Sequence, residues 1–525
     1  MRGTRVRVGR ISFFVMFVLG LGWGLATAQV VKPSTEPTTQ PGITEHDITL
    51  DGQVAHYRAT ASELPLKDDA GKETAKIFYI AYEKLSSPSA SGAPATTSST
   101  ATTSTTNPSA DPSRPVTFIF NGGPGSASVW LHMGTAGPRR VKVADGGFPP
   151  SVPYSLTDNA QSWLDLTDLV FIDPVGTGYS RATDPEKAKD FYGVDGDISS
   201  VADFIRLYCT NNQRWLSPKF LAGESYGTTR AAGLSEFLHD RYGIDLNGIV
   251  LISTVLNFQT LEFDPGNDTP YPLYIPTYTA VAHYHKKLNP DLQADMKKAV
   301  AQAKDWAMTD YAQALAKGNS LDGAAREKVV AKLADYSGLP RAYVEHSNLR
   351  INPFRFEKEL LADQRKIIGR MDGRITAEDA DPLSDHPTFD PAVDGFVGVF
   401  TNTFNDYVRR ELKYETEETY EVLSPRVQSW NFGKNDSYLN VAPTLQHAIT
   451  ETPALKVLVC CGYYDLATPF AAADYTVKSM SLSHELLGNV REAYFEGGHM
   501  LYLNPAALEQ LKNTLREFYH SALPQ

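Results

Sequence analysis

Gly223-Glu224-Ser225-Tyr226-Gly227 decides the fold. The pentad reads G-x-S-x-G and lies between a short apolar run, Lys219-Phe220-Leu221-Ala222, and a helical pattern from about Thr228 to Tyr242. That context predicts a nucleophile elbow, a sharp strand-to-helix turn that lifts a serine above the end of a sheet. Glycine is needed on both flanks because a side chain there would meet the adjoining strand or helix.

Working outward, apolar runs recur at Val116–Phe120, Leu169–Ile172, Gly248–Ile252, Lys456–Cys461 and Glu492–Phe495, and helical patterns at Ile198–Tyr208 and Val441–Ile449. Strands alternating with helices predict an α/β fold with a mostly parallel central sheet. Ile48–Tyr82 reads as paired strands that open the core. Between 260 and 435 the character changes: long helical stretches (Asp291–Lys317, Gly323–Tyr336) alternate with Pro- and Asp-rich loops. This segment is expected to be a largely helical cap, inserted after the central strands. It divides the α/β core into a first part, 45–259, and a second part, 436–525. Residues 86–114 are almost wholly Ser, Thr, Ala and Pro, which predicts a flexible surface loop.

The first 28 residues carry Arg2, Arg5, Arg7 and Arg10, an apolar stretch Ile11–Leu25 and the A-x-A site Ala26-Thr27-Ala28. They read as a secretory signal peptide of bacterial type, followed by a Pro- and Thr-rich linker, 29–44. The expected product is exported, periplasmic or extracellular, with no integral membrane span once the signal is cleaved. Its formal net charge is −12 before that cleavage, and loss of four leader arginines makes it more acidic. Such a chain has no electrostatic reason to bind nucleic acid. Hydrophobic residues make up 42% of the 525, enough for a large core. The three cysteines, Cys209, Cys460 and Cys461, form neither a disulfide framework nor a zinc pattern. Cys460 and Cys461 extend an apolar run and read as buried thiols, although a bridge to Cys209 stays open.

A serine hydroxyl needs a base within hydrogen-bond reach, and the base needs an orienting acid. On this fold they follow the serine in the order Asp, His, each on a loop after a core strand. Asp465, in Gly462-Tyr463-Tyr464-Asp465, and His499, in Glu496-Gly497-Gly498-His499-Met500, meet that rule. Met500 is a candidate pocket residue. The oxyanion needs backbone N–H donors. Tyr226, next after the nucleophile, is one; Gly123, in the loop Asn121-Gly122-Gly123-Pro124-Gly125 after Val116–Phe120, is the other. No G-K-[ST] follows that loop, so it is not a phosphate cradle. No residue cluster indicates a metal or an organic cofactor.

Together with Asp173-Pro174-Val175-Gly176-Thr177-Gly178-Tyr179-Ser180, these motifs resemble the serine carboxypeptidase family over roughly 75–258 and 436–525. The resemblance implies an α/β-hydrolase fold with an inserted cap. It also implies release of amino acids from peptides with a free C-terminus, at acidic pH. It assigns Asn121, Gly122 and Glu224 to the substrate's terminal carboxylate. Two carboxylates sharing a site cannot both be ionised, so Glu224 is expected to be protonated and binding to weaken as pH rises. An ion pair with a buried cation is the alternative for Glu224, and Arg139-Arg140 offer an alternative anion site. The chain departs from the family pattern at Ile119 (usually Trp), Ser126 (usually Cys) and Thr135 (usually a second Glu), and Leu501-Tyr502 stand where a Pro is expected. Two other readings stay open: an esterase or acyltransferase on the same triad, and a non-catalytic hydrolase-like binding protein.

Overall fold

The computed structural model describes residues 40–85, 111, 113–427, 429–433 and 437–523. The expected signal peptide, residues 29–39 of the linker, and 86–110 and 112 of the loop lie outside the described residues.

Nine strands make the backbone of the sheet: β1 (Gly42–Leu50), β2 (Gln53–Lys67), β3 (Glu73–Lys84), β4 (Val116–Phe120), β5 (Asp168–Ile172), β6 (Lys219–Glu224), β7 (Gly248–Ile252), β8 (Lys456–Gly462) and β9 (Val490–Phe495). Their spatial order is β1-β2-β3-β5-β4-β6-β7-β8-β9, with a two-residue strand, Arg181–Ala182, added beside β3. The first three run antiparallel, and β5 through β9 run parallel. The central strands are buried throughout because parallel strands are covered on both faces. Alternate residues serve opposite cores. Phe118, Phe120, Val170, Ile172, Leu221, Ile249, Leu251, Val457 and Val459 point to one, and Ile119, Leu169, Phe171, Phe220, Ala222, Val250, Ile252 and Leu458 to the other.

Helices α1 (Val194–Asn211) and α2 (Tyr226–Tyr242) cover the first face through Val201, Phe204, Ile205, Leu234 and Leu238. Helices α3 (Pro391–Arg410) and α4 (Pro505–Ala522) cover the second through Phe396, Phe400, Phe404, Leu508, Leu511 and Leu515. Strand order reverses at β4, whose neighbours β5 and β6 come later in the chain. Open α/β sheets bind ligands at the carboxyl ends of strands beside such a switch point.

Several boundaries differ from the sequence expectation. β1 starts at Gly42, inside the segment read as linker, because its residues pair with β2 from Gly42↔Ala61 onward. Arg114 belongs to the folded core rather than to the loop, since its guanidinium donates to Asp168 and to the Leu164 carbonyl, both at 2.9 Å. The segment 260–435 is mostly helical but not a separate body: Gln40 onward is one compact unit. Its early helices pack with the first core and α3 with the second. Asp291–Lys317 is broken at Asp295, whose carboxylate caps a new helix, Met296–Trp306, by accepting from Lys298 N. All three cysteines are free and buried. Among the described residues no helix is long and apolar enough to cross a membrane.

Candidate active site

Ser225 sits between β6 and α2 at φ 59°, ψ −128°, a conformation L-residues seldom adopt. Its N–H donates to the Ile252 carbonyl at the end of β7 (3.0 Å), and its carbonyl accepts from Thr228 N (2.8 Å) and Oγ1 (2.7 Å). The flanking glycines are sterically required. A Cβ on Gly223 would lie 2.2 Å from the Gly227 carbonyl oxygen, and one on Gly227 2.9 Å from that of Phe120.

Asp465 and His499 meet after β8 and β9. His499 Nδ1 is 2.8 Å from Asp465 Oδ2 and both are buried. Asp465 is itself fixed: Oδ1 accepts from Ala467 N (2.8 Å) and Thr468 N (2.9 Å), and Oδ2 from Thr468 Oγ1 (2.7 Å). Burial pulls the His499 imidazole down, but the Asp465 charge and hydrogen bond, with Glu224 adding to them, leave it above its ordinary value. The His loop presses on the Asp loop, since a Cβ on Gly462 would lie 2.2 Å from the Gly498 carbonyl oxygen. Ser253 ties that loop back toward the elbow: its Oγ donates to the His499 carbonyl (2.6 Å), one residue beyond the Ile252 that holds Ser225.

The Asn121–Gly125 loop lies against the elbow. A Cβ on Gly122 would come within 2.4 Å of Tyr226 N, 2.6 Å of Gly227 N and 2.7 Å of the Glu224 carbonyl oxygen, all backbone atoms. Tyr226 is the first helical residue, whose N–H has no intrahelical partner. Gly123 takes a positive φ of 103°. Gly122→Ala is therefore expected to push this loop off the elbow. kcat/KM should fall about 10²–10³-fold, the usual loss when an oxyanion donor is displaced, with the melting temperature measured alongside. Wild-type turnover in that variant would show that the close approach has no part in catalysis.

Asn121 and Glu224 form a buried pair, Asn121 Nδ2 donating to Glu224 Oε1 at 2.9 Å. Asn121 is oriented by Leu131 N, which donates to Oδ1 (3.0 Å), and by Arg230, which donates to its carbonyl (2.7 Å). Among the described residues Glu224 makes no ion pair. Burial pushes its carboxyl up to about 7, against the pull of His499 and the Tyr502 hydroxyl, with the Asp465 charge reinforcing the rise and the Asn121 amide opposing it. Met500 is half-buried and packs against the second core beside His499. Arg139 is taken up by Asp158 and Glu411. Arg140 Nε and Nη2 are buried without hydrogen-bond partners among the described residues.

Sequence reasoning missed the supports. Arg230 is fully buried, pairs with Asp197 (2.7 Å) and stacks on the Phe120 and Tyr226 rings. Arg370–Gly373 straps the Asp465 and His499 loops together: Leu466 N donates to the Arg370 carbonyl (3.0 Å), His499 N to that of Met371 (2.6 Å), and Gly373 N to that of Tyr464 (2.9 Å). Asp390 anchors the strap by accepting from Arg370 N (3.2 Å) and Met371 N (3.1 Å). These links join residues far apart in the chain, so no local pattern announces them. Among the described residues, His239, Asp240 and Glu451 are spaced to hold a metal ion, but they lie toward the far end of α2, about 20 Å of helix from Ser225.

The strand order, the strained serine and the Asp–His pair define an α/β-hydrolase. Residues 101–499 match the family model described as serine carboxypeptidase. The chain belongs to the serine carboxypeptidase family and is a hydrolase of that class. It is similar to serine carboxypeptidase-like 36 of Arabidopsis thaliana, with 23% identity over 74% of this chain and 68% of that protein. It is also similar to the pheromone-processing carboxypeptidase KEX1 of Saccharomyces cerevisiae, with 36% identity over 22% of this chain and 15% of that protein. Solved structures similar to it include VinJ (TM-score 0.35, 15% identity, 88% of this chain and 99% of that one). Another is Rv0554 from Mycobacterium tuberculosis (TM-score 0.36, 12% identity, 88% and 100%).

Proposed function

We propose that this protein is an exported serine carboxypeptidase that releases C-terminal amino acids from peptides through an acyl-enzyme. The observation that carries the reading is the buried Asn121–Glu224 pair directly behind the strained Ser225. Ser225 Oγ attacks the scissile carbonyl while His499 takes its proton, and Asp465 holds the imidazole with Nδ1 as donor. The N–H groups of Gly123 and Tyr226 receive the oxyanion. His499 then protonates the leaving amine, and water, deprotonated by His499, hydrolyses the ester. The peptide's carboxylate binds at Asn121, Gly122 and Glu224. The leader of residues 1–28 supports export.

The pH dependence follows from two groups. Glu224 must carry a proton to accept a carboxylate beside it, so binding of free-acid peptides is strongest below about 7 and fades above it. His499 must be neutral to act as base, so turnover falls as pH drops below its raised value. A blocked dipeptide with a free carboxylate is expected to show a bell-shaped kcat/KM, and its C-terminal amide to be turned over far more slowly. Thr135, in place of an acid, favours a second reading, an esterase or acyltransferase. Equal cleavage of acid and amide, or cleavage of esters alone, would decide for it.

A further inference from the structure

Tyr502 lies in the turn Leu501–Leu503, three residues after His499, and is wholly buried. Its ring fills the space over Gly134: a Cβ there would lie 2.4 Å from Tyr502 Cε2. The hydroxyl faces the Asn121–Glu224 pair closely enough for each to affect the other's ionisation. Yet among the described residues neither Tyr502 Oη nor Glu224 Oε2 makes a hydrogen bond of normal geometry, although the hydroxyl stands within reach of both Glu224 and Asn121; Thr135 Oγ1, next to Gly134 in the chain, is another buried oxygen without a partner there. Buried polar atoms are nearly always paired, so an unsatisfied hydroxyl facing an unsatisfied carboxyl oxygen, on the residue just before Ser225, marks a place for a polar ligand. Asn121 adds to the inventory. Its Nδ2 gives one hydrogen to Glu224 Oε1 and carries a second on the side of the Tyr502 hydroxyl.

We propose that Tyr502 is a carboxylate-recognition residue, its hydroxyl donating to the peptide's terminal carboxylate alongside the Asn121 amide and the Glu224 carboxyl. This rests on the carboxypeptidase reading above. Three donors then converge on a group that has only acceptors to give. Tyr502 differs from an acid in one functional respect. Burial and the neighbouring Glu224 hold its phenol protonated well past its usual range, so its donation is not lost when Glu224 ionises. The charged and titratable groups that act on Glu224 are His499, Asp465 and Tyr502. Of these only Tyr502 remains a neutral donor from acid to alkaline pH. Tyr502 thus takes up the task that the family pattern gives to an acid at position 135.

The test is Tyr502→Phe in the full chain, which keeps the ring over Gly134 and removes the oxygen. KM for the blocked dipeptide acid is expected to rise about tenfold or more, the loss typical of a hydrogen bond to a charged group, with kcat within about twofold. The methyl ester of the same peptide should be unaffected, as should the rate of labelling by a fluorophosphonate, which has no carboxylate. The rise in KM should be largest above pH 7. A wild-type preference for acid over amide that survives Tyr502→Phe undiminished overturns the proposal alone. So does a loss of labelling, or an equal loss on acid and ester, either of which would make Tyr502 a packing residue. A wild type with no such preference overturns the carboxypeptidase reading and this proposal with it.

Discussion

Ser225→Ala is expected to lower kcat by about 10⁴–10⁶-fold on every substrate and to abolish fluorophosphonate labelling, while the protein stays folded. The loss is large because serine, base and acid act as one unit, and removing the nucleophile leaves only binding and oxyanion stabilisation. Folding should survive for local reasons. Ser225 stands at the N-cap of α2, but its side chain makes no capping hydrogen bond, so truncation removes no cap. The positive φ costs alanine about what it costs serine, so the melting temperature should barely move. Ser225→Gly should go further and stabilise the protein by about 1 kcal/mol, since glycine has no Cβ to strain at φ 59°. A higher melting temperature in an inactive Gly variant would measure the strain stored at the elbow. Persistent turnover in Ser225→Ala would remove Ser225 from the mechanism.

The elbow was legible because its signal is local. Gly223 and Gly227 are dictated by atoms within a few residues or on the adjoining strand end, and so leave a fixed spacing in the sequence. The loop positions of Asp465 and His499 were legible for the same reason, each shortly after an apolar run that became β8 or β9. Helix α3 was not. Its Gly395 and Gly398 weaken the helical pattern, and they are there for close packing: Cβ atoms would meet Pro149 at 2.5 Å and the Tyr154 hydroxyl at 3.2 Å. The break at Asp295 was written locally but outweighed by the surrounding periodicity. The tyrosine-rich stretch around Tyr274 and Tyr278 is core; Tyr278 stacks on Phe356 with ring centroids 4.0 Å apart. Arg230 and the Arg370–Gly373 strap depend on contacts across more than 90 residues. Nothing near them in the chain encodes such a partner. Tyr502 was visible only as a departure from a family pattern, and its environment gives that departure chemical content.

Asp465→Asn is expected to cost about 10⁴-fold in kcat near neutral pH without unfolding the loop. Asp465 Oδ1 accepts from two backbone amides, Ala467 N and Thr468 N. An asparagine must keep its carbonyl oxygen there, which forces its NH₂ into the place of Oδ2, facing His499 Nδ1. Thr468 Oγ1 now donates to Oδ2 and stands 3.2 Å from His499 Nδ1. Opposite an NH₂ it has to accept instead, and its own proton is then free to turn toward the imidazole. His499 Nδ1 would face donors only and become an acceptor, leaving the proton on Nε2. A histidine in that tautomer has no lone pair for the Ser225 hydroxyl. The same change removes the charge that holds His499 above its ordinary value, so the acid limb of the residual activity should move to lower pH. Fluorophosphonate labelling should slow in parallel with kcat, and KM should change little because Asp465 does not touch the substrate. A loss of less than tenfold, with an unmoved acid limb, would reduce Asp465 to a carboxylate that caps the loop after β8.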